Sequence, residues 1–378
     1  MDPIYLDHHA TTPCDPRVVE RMLPFFTDNF GNPAAIVSAH GRRASMAVED
    51  ARIAIARFFG VLPSEIYYTA GATESNNIAL NLVGDGEHLV TSSIEHKSIV
   101  VPAKRADVMF LDPDGEGFVH PDNLRAALRP NTKLVSIESA NGEIGTIQPV
   151  AELAAICRER GVLFHTDATQ AVGKIPVDFT GVDLASLSAH KIYGPKGVGA
   201  LYVRRGIRVK PVVIGGGQER NVRSGTINVP GVIGLATALQ LRAEEMDAEA
   251  VRLAALRDEL RESLLSAIDG VSVNGPVQLR SGQAHALRLP GNLNVSFASV
   301  DAESLILAMK RFSLSTGSAC SAGERGPSRV LVACGLPESR AMASLRIGLG
   351  KSNTAEHIAL LVEDLRRAVA RLREISPA

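Results

Sequence analysis

A lysine that stands beside a hydroxyl and an imidazole could bond covalently to an aldehyde. Lys191 follows residues 182–187, an apolar run that predicts a buried strand, and precedes residues 193–197, which predict a loop. Ser188 and His190 lie just before it. An amine in this position can condense with a cofactor aldehyde, and a substrate amine can later replace it on the aldehyde carbon. The alternative is a solvated surface lysine, the usual state of this residue type beside a strand.

A carboxylate stands at the end of the preceding predicted strand. Residues 162–166 form that strand, Asp167 ends it, and Gln170 follows closely. The carboxyl ends of strands in an α/β sheet face the ligand crevice. An acid there could keep a pyridine nitrogen protonated, and Gln170 could donate to a phenolic oxygen, which is what pyridoxal phosphate (PLP) requires. The alternative is a surface aspartate that caps the next helix.

A third polar turn separates a strand at residues 66–69 from an apolar helix at 78–83. It contains Gly71, Ala72 and Thr73, and backbone N–H groups at such a helix start can bind a phosphate. The glycine pattern matches neither a dinucleotide fingerprint nor a nucleotide P-loop. The alternative is an ordinary glycine turn with Thr73 as the helix cap.

These segments belong to a set of motifs that runs through the chain in a fixed order. The motifs are Tyr5-Leu6-Asp7 with Ala10-Thr11-Thr12-Pro13, Phe30-Gly31-Asn32-Pro33, Gly71-Ala72-Thr73-Glu74-Ser75-Asn76, Glu95-His96-Lys97, Asn141-Gly142-Glu143-Ile144-Gly145-Thr146, His165-Thr166-Asp167-Ala168-Thr169-Gln170, His190-Lys191, Arg223-Ser224-Gly225-Thr226, Gly317-Ser318-Ala319-Cys320 and Arg346. In this order and spacing they resemble the cysteine desulfurases, PLP enzymes of fold type I in the class V aminotransferase superfamily. The resemblance is to the nitrogenase-type and housekeeping long-loop group and runs from about residue 4 to the C-terminus.

The resemblance implies how PLP is held. Lys191 would carry the cofactor, Asp167 would pair with its pyridinium and Gln170 would contact its phenolic oxygen. His96 would stack on the ring and move protons. The residues expected to hold the phosphate are Ala72, Thr73, Ser188, His190 and, from the partner subunit of a homodimer, Thr226.

The resemblance also implies the substrate and the nucleophile. Arg346 would bind the carboxylate of L-cysteine, because a guanidinium offers a planar pair of donors. Cys320 lies in a run of small residues without apolar periodicity, which predicts a mobile loop. Its thiol would take the substrate sulfur as a persulfide, leaving L-alanine, and pass it to an acceptor protein such as an iron–sulfur scaffold.

The chain departs from the family pattern at several positions. Gly142 replaces an asparagine that would bind the cofactor or substrate, so we expect that interaction either to be missing or to be made by Asn141 instead. His8 and His9 stand where the family has neither histidine, and no role is assigned to them. Residues 324–326 are Glu-Arg-Gly at a place where relatives carry an apolar residue. We also expect the C-terminal extension that docks an iron–sulfur scaffold in housekeeping desulfurases to be missing.

The composition is that of a water-soluble enzyme. In 378 residues, 40 Lys and Arg nearly balance 41 Asp and Glu, which gives no electrostatic case for nucleic acid or an anionic membrane. We find no bilayer-spanning apolar run and expect no signal peptide. The 4 cysteines form no C-x-x-C pair, so we predict no metal site and a cytoplasmic protein.

Alternation of apolar strands and amphipathic stretches predicts an α/β fold with a mostly parallel sheet. We expect a large PLP-binding domain over residues 14–250 and a smaller α+β domain over 251–378, joined by the N-terminal segment 1–13. The predicted strands are Leu89–Thr91, Val108–Leu111, Leu134–Ile137, Val162–Thr166, Leu184–Leu187 and Val198–Val203, and Thr354 is expected to cap the last helix.

Other functions share parts of this pattern. A PLP aminotransferase or a selenocysteine lyase would keep the cofactor residues, and the small-residue loop around Cys320 argues against the aminotransferase. A non-catalytic sulfur-assembly subunit would keep the fold, but intact Lys191, Asp167 and His96 argue against it.

Overall fold

The computed structural model describes residues 3–277, 287–317 and 326–375. Its strands are β1 Ile4–Tyr5, β2 Ile66–Thr69, β3 His88–Ser92, β4 Asp107–Leu111, β5 Thr132–Ser136, β6 Leu163–Asp167, β7 Leu184–Ser188, β8 Gly199–Val203, β9 Val271–Asn274, β10 Asn292–Phe297, β11 Phe312–Ser313 and β12 Ser344–Gly348. Its α-helices are α1 Pro16–Met22, α2 Pro24–Thr27, α3 Ala39–Phe59, α4 Ala72–Leu80, α5 Lys97–Ala103, α6 Pro121–Ala127, α7 Val150–Glu159, α8 Val229–Ala267, α9 Ala302–Ala308, α10 Arg329–Ala333, α11 Glu338–Met342 and α12 Ala355–Ile375.

Seven strands form one large sheet in the order β2-β8-β7-β6-β5-β3-β4. Strand β8 is antiparallel to β2 and β7, while the other neighbours are parallel. Successive side chains point to opposite faces, so Leu89 and Leu134 pack with α4 and α5, whereas Val90 and Val135 pack with α3, α7 and α8. Helices therefore cover both faces, and the predicted α/β fold with a mostly parallel sheet is confirmed.

A second apolar cluster surrounds a smaller antiparallel sheet in the order β12-β10-β9. Helices α9 and α12 pack on this sheet through residues such as Leu305, Leu361 and Leu365. The N-terminal segment joins it, because β1 pairs with β11 and Leu6 is buried in the same cluster.

Helix α8 spans 39 residues and connects the two clusters. Leu235 and Leu239 are buried against the large sheet, and Leu256 and Leu260 are buried with the smaller one. A division of the chain near residue 250 would fall inside this helix, and we keep it as a proposal.

Local sequence accounts for two helix starts. Helix α4 begins at Ala72, six positions before the predicted apolar stretch, because Gly71 adopts φ +150° and forms a sharp entry that suits a residue without a side chain. Helix α12 begins after Thr354, whose Oγ1 accepts from the His357 N–H at 3.4 Å, as predicted for a cap. Within the described ranges, we find no helix with the length and apolar character needed to cross a membrane.

Candidate active site

A cleft of about 940 Å³ opens where β6 and β7 end and α4 begins. This is the position at which α/β sheets bind ligands, because the strand ends and the helix N-terminus leave backbone groups and side chains facing outward. The predicted site residues that line it are Ala72, Thr73, His96, Asn141, Asp167, Gln170, Ser188, His190, Lys191 and Arg346.

Lys191 lies in a short 3-10 turn directly after the fully buried strand β7. Its Nζ donates to the backbone oxygens of His9 and Ala10, each at 2.7 Å. The N-terminal segment is fixed there because the Thr12 N–H donates to the backbone oxygen of His190 at 2.9 Å. The amine is therefore held at the cleft by two carbonyl groups.

Asp167 is the last residue of β6 and is 7% exposed. Its Oδ2 accepts from Nδ2 of Asn76 at 2.7 Å, and its Oδ1 accepts from the Thr169 N–H at 3.0 Å. Because β6 and β7 are adjacent and parallel, Asp167 and Lys191 face the same cleft. The carboxylate is positioned to interact with a cationic ring nitrogen.

The start of α4 forms one end of the cleft. In the described part of the chain, the backbone N–H groups of Ala72 and Thr73 have no acceptor. A Cβ at Gly71 would lie 3.5 Å from Oγ of Ser188, so the turn and β7 approach closely. Free N–H groups at the positive end of a helix, together with a hydroxyl, suit a phosphate.

His190 completes this end of the cleft. One of its ring nitrogens, Nδ1, lies 3.0 Å from Oγ1 of Thr11. Burial, and then the charge of Lys191, lowers the pKa of His190 to about 4. The imidazole is therefore neutral at neutral pH.

Two other predicted residues lie toward the surface. His96 is exposed at the cleft and caps α5, because its Nδ1 accepts from the Ser98 N–H at 3.1 Å. Thr226 is exposed and does not line the cleft of its own chain. A role for Thr226 therefore depends on a partner subunit, as the resemblance implied.

Arg346 projects from β12 and is 5% exposed. Its Nη2 pairs with Oδ1 of Asp7 at 2.7 Å, and its Nη1 lies 3.4 Å from the backbone oxygen of Gly142. Its Nε has no hydrogen-bond partner among the described residues. The guanidinium is thus anchored on one side and still has donor capacity.

The amide of Asn141 is used internally. Its Oδ1 accepts from the N–H groups of Glu143 and Ile144, and its Nδ2 donates to Glu138 and to the backbone oxygen of Ile94. Both N–H groups of this amide are therefore used within the protein. It remains a prediction that Asn141 takes over the role of the asparagine that is absent from position 142.

Gly142 and Gln170 fit together closely. A Cβ at residue 142 would lie 2.5 Å from Nε2 of Gln170. That Nε2 donates to the backbone oxygen of His9 at 2.9 Å, and Oε1 accepts from Nζ of Lys174 at 2.6 Å. An asparagine at 142 would require the glutamine to move, which gives this departure a physical reason.

The sequence analysis gave no individual role to a group of buried carboxyl groups on another side of the cleft. Glu95, Glu138 and Glu143 are each at most 7% exposed and line the cleft beside Arg329. Burial raises the pKa of Glu138 to about 8 and that of Glu95 well above its usual range. The only signal in the sequence was the presence of Glu95 and Glu143 inside quoted motifs.

Cys320 lies outside the described residues, so the structure does not place the predicted nucleophile. Residues on both sides of that stretch, Gly317 and Ser328, line the cleft. The three described cysteines form a thiolate less readily than a cysteine in water. Burial raises the pKa of Cys157 and of Cys334 to about 12, and it also raises the pKa of Cys14.

Comparison with known proteins gives consistent matches over the whole chain. Residues 4–361 match the family described as aminotransferase class-V. The chain is 48% identical to "Cysteine desulfurase IscS" of Anaeromyxobacter dehalogenans (strain 2CP-C), covering 99% of this chain and 94% of the relative. It is 44% identical to "Cysteine desulfurase, mitochondrial" of Arthroderma benhamiae, covering 99% and 76%.

Solved structures give the same result. A "NIFS-LIKE PROTEIN" superimposes with a TM-score of 0.89 at 34% identity, covering 98% of this chain and 100% of the other. "SspA in complex with cysteine" superimposes with a TM-score of 0.78 at 34% identity, covering 92% and 98%.

Proposed function

We propose the following site assignments from the premise that the chain belongs to the class-V aminotransferase family and is a PLP-dependent cysteine desulfurase. These matches confirm the resemblance noted in the sequence. None of them favours an aminotransferase, a selenocysteine lyase or a non-catalytic assembly subunit. The observation that carries the assignments is the meeting of Lys191, Asp167 and the start of α4 at one cleft.

The residues present fit PLP as a group. Lys191 would hold the aldehyde carbon, Asp167 would face the pyridinium, and the N–H groups of Ala72 and Thr73 would receive the phosphate. Ser188 and His190 would add donors beside it. The unmatched N–H groups support this fit, because a phosphate would satisfy them. When bound, PLP supplies an electron sink for breaking bonds at the substrate.

L-cysteine is the proposed substrate in the same cleft. Arg346 would bind its carboxylate through donors that are not used by Asp7. His96 would lie beside the bound cofactor and move a proton, as the resemblance implies, and its place on the cleft wall supports this role. The solved relative with bound cysteine supports this choice of substrate for the fold.

Cys320 is the proposed nucleophile. Overall, the C–S bond of L-cysteine breaks, an S–S bond forms on Cys320, and L-alanine leaves with a proton in place of the sulfur. The reaction therefore balances without an added oxidant or reductant. The raised pKa values of Cys157 and Cys334 argue against these two thiols as the nucleophile.

Mass spectrometry after brief exposure to L-cysteine tests this assignment. We expect a peptide containing Cys320 to become heavier by one sulfur atom. The Cys320→Ser variant should bind PLP but form neither persulfide nor alanine, because a hydroxyl cannot accept the sulfur. Cys334→Ser is the matched control and should retain turnover. A sulfur adduct on another cysteine, or undiminished alanine production by Cys320→Ser, would refute the proposed nucleophile.

A homodimer is the proposed assembly. Large apolar side chains are exposed, including Phe30 at 65%, Val37 at 91% and Ile214 at 87%. Val212 and Val213, next to Ile214, line the cleft, so an interface there would place a second subunit near the site. Thr226 would then reach the phosphate of the partner subunit.

Mixing inactive variants tests the shared site. A Lys191→Ala subunit and a Thr226→Ala subunit should together form heterodimers that contain one intact site, so activity should rise above that of either variant alone. A fully active monomer in sedimentation and kinetic assays would rule out the shared site.

The sulfur acceptor is proposed to be a protein thiol, as on an iron–sulfur scaffold. A reactive persulfide requires a reducing compartment, and we therefore propose the cytoplasm. Transfer of labelled sulfur from L-cysteine to a purified scaffold protein would test the acceptor.

A further inference from the structure

A chain of hydrogen bonds connects Asp167 to His96 through two residues to which no role has been given. Nδ2 of Asn76 lies 2.7 Å from Oδ2 of Asp167 and 2.8 Å from Oγ of Ser98. Oγ of Ser98 lies 2.7 Å from Nδ1 of His96. Asn76 is fully buried and Ser98 is 7% exposed, so the two bonds made by Nδ2 of Asn76 are shielded from water, whereas the ring of His96 is exposed at the cleft.

The direction of each bond follows from the chemistry of Asp167. A carboxylate accepts hydrogen bonds and does not donate them, so Asn76 must turn its NH₂ group toward it. The second N–H of that group then points to Ser98, whose Oγ accepts. The hydroxyl proton of Ser98 is left free to donate to Nδ1 of His96.

A separate contact also identifies Nδ1 of His96 as a hydrogen-bond acceptor. The backbone N–H of Ser98 donates to the same Nδ1 at 3.1 Å. Both donors require a lone pair on Nδ1, so the neutral imidazole of His96 must carry its proton on Nε2.

We propose that Asn76 and Ser98 are positioning residues that hold His96 in the tautomer with the proton on Nε2. The proposal rests on the proposed roles of Asp167 and His96. With Nδ1 occupied by Ser98, Nε2–H is the ring group left for the cleft. His96 therefore meets a bound molecule first as a hydrogen-bond donor through Nε2–H.

Asn76 also couples the two ends of this chain. Its amide oxygen has no partner among the described residues, so its orientation depends on the two bonds made by Nδ2. Loss of the Asp167 carboxylate would remove the reason for that orientation. The serine hydroxyl would then be free to turn, and the ring of His96 would lose one of its two fixed donors.

Nitrogen NMR of the full chain with PLP bound tests the proposal directly. In protein labelled with ¹⁵N-histidine, His96 is assigned by its loss in His96→Gln. We expect Nε2 of His96 to carry the proton in the wild type. In Ser98→Ala, the ratio of the two tautomers should fall roughly fivefold, the equivalent of one hydrogen bond of about 1 kcal/mol.

Three further variants separate positioning from general loss of structure. Ser98→Thr keeps the hydroxyl and should restore the wild-type ratio. Ser75→Ala is the matched control, because its buried hydroxyl lies on α4 and bonds to Thr69 and Ala200 outside this chain of bonds. It should leave the spectrum of His96 unchanged. Asn76→Ala should shift the ratio in the same direction as Ser98→Ala.

Kinetics provide a second readout. Ser98→Ala should lower kcat for L-cysteine several-fold with little change in KM, because it changes which ring nitrogen of His96 carries the proton and leaves Arg346 intact. A His96 proton on Nδ1 in the wild type, or an unchanged spectrum in Ser98→Ala, would overturn the proposal. Absence of L-cysteine turnover in the wild type would instead refute the proposed function, since the tautomer is measured independently.

Discussion

Two sides of the cleft obtain their chemistry in different ways. The strand-end side consists of Asp167, Ser188 and Lys191, which end or directly follow adjacent strands. The carboxylate side consists of Glu95, Glu138 and Glu143, which are buried together. On the strand-end side, the residue types and their place after a strand already indicate the chemistry. On the carboxylate side, protonation depends on burial and on neighbours that are distant in the sequence.

The carboxylate side shows how strong that dependence is. The Glu138 N–H donates to Oε1 of Glu95 at 2.6 Å, and Nδ2 of Asn141 donates to Oε1 of Glu138 at 2.7 Å. Burial is nevertheless the largest cause of the raised pKa of each glutamate. It also lowers the pKa of Arg329, whose Nη2 donates to the backbone oxygen of Glu95. At neutral pH Glu138, whose pKa is raised to about 8, therefore keeps a proton that an exposed glutamate would have lost.

The largest expected effect comes from removing the strand-end lysine. Lys191→Ala should abolish turnover and the covalent attachment of the cofactor that borohydride reduction produces in the wild type, because the amine positioned to hold the cofactor aldehyde would be gone. Lys310→Ala, an exposed lysine outside the cleft, is the control. Lys174 is a second candidate amine, because burial and the charge of Lys191 lower its pKa. Borohydride labelling of Lys174 in the wild type would show that the strand-end lysine does not hold the cofactor.

The next effect concerns the carboxylate beside it. Asp167→Ala should retain part of the cofactor but lose turnover by roughly ten- to thousandfold, corresponding to the 1–3 pKa units that a neighbouring charge contributes to a ring nitrogen. Absorbance measures cofactor content and alanine release measures turnover. Near-wild-type turnover with bound PLP would show that the strand-end aspartate has only a structural role.

Substrate binding should change less. Arg346→Ala should raise the L-cysteine concentration for half-maximal rate roughly ten- to hundredfold, because a charged hydrogen bond contributes about 1.5–3 kcal/mol. Arg340→Ala is the matched control, since that guanidinium bonds to Asn274 away from the cleft. Steady-state kinetics distinguish them, and unchanged saturation in Arg346→Ala would place the carboxylate elsewhere.

The smallest effect tests the carboxylate side through stability. The folded-state pKa of Glu138, about 8, lies above its unfolded value near 4.5, so the folded state binds the extra proton between these limits. Its contribution is fully present below pH 4.5 and is lost as pH rises toward 8. This loss appears as a decrease in the free energy of unfolding with rising pH. In denaturant unfolding, Glu138→Gln should reduce the slope of that decrease by up to about 1.4 kcal/mol per pH unit.

Glu152→Gln is the control for that measurement, because Glu152 is exposed on α7. It should leave the pH dependence of unfolding unchanged. An identical slope in wild type and Glu138→Gln would mean that this carboxyl group titrates as in water, and the contrast between the two sides of the cleft would disappear.

The sequence alone determined the mostly parallel sheet and, through the resemblance of its ordered motifs, the family. The sheet depends on local properties: apolar periodicity defines strands and helices, and strand ends in an α/β sheet face a common crevice. Asp167, Lys191 and Thr73 could therefore be assigned to one site before any distance was known. The identity of Cys320 as the nucleophile and the role of Thr226 across an interface remain predictions.

Only the tertiary structure decided how the remaining polar groups are used. Asn76 meets Asp167 across 91 positions of sequence, and Glu138 meets Glu95 across 43. Such pairings arise from the way the strands are ordered and the helices packed, and no periodicity in the sequence encodes them. Protonation and hydrogen-bond direction follow from these pairings and from exclusion of water, because the cost of burying a charge depends on every group around it.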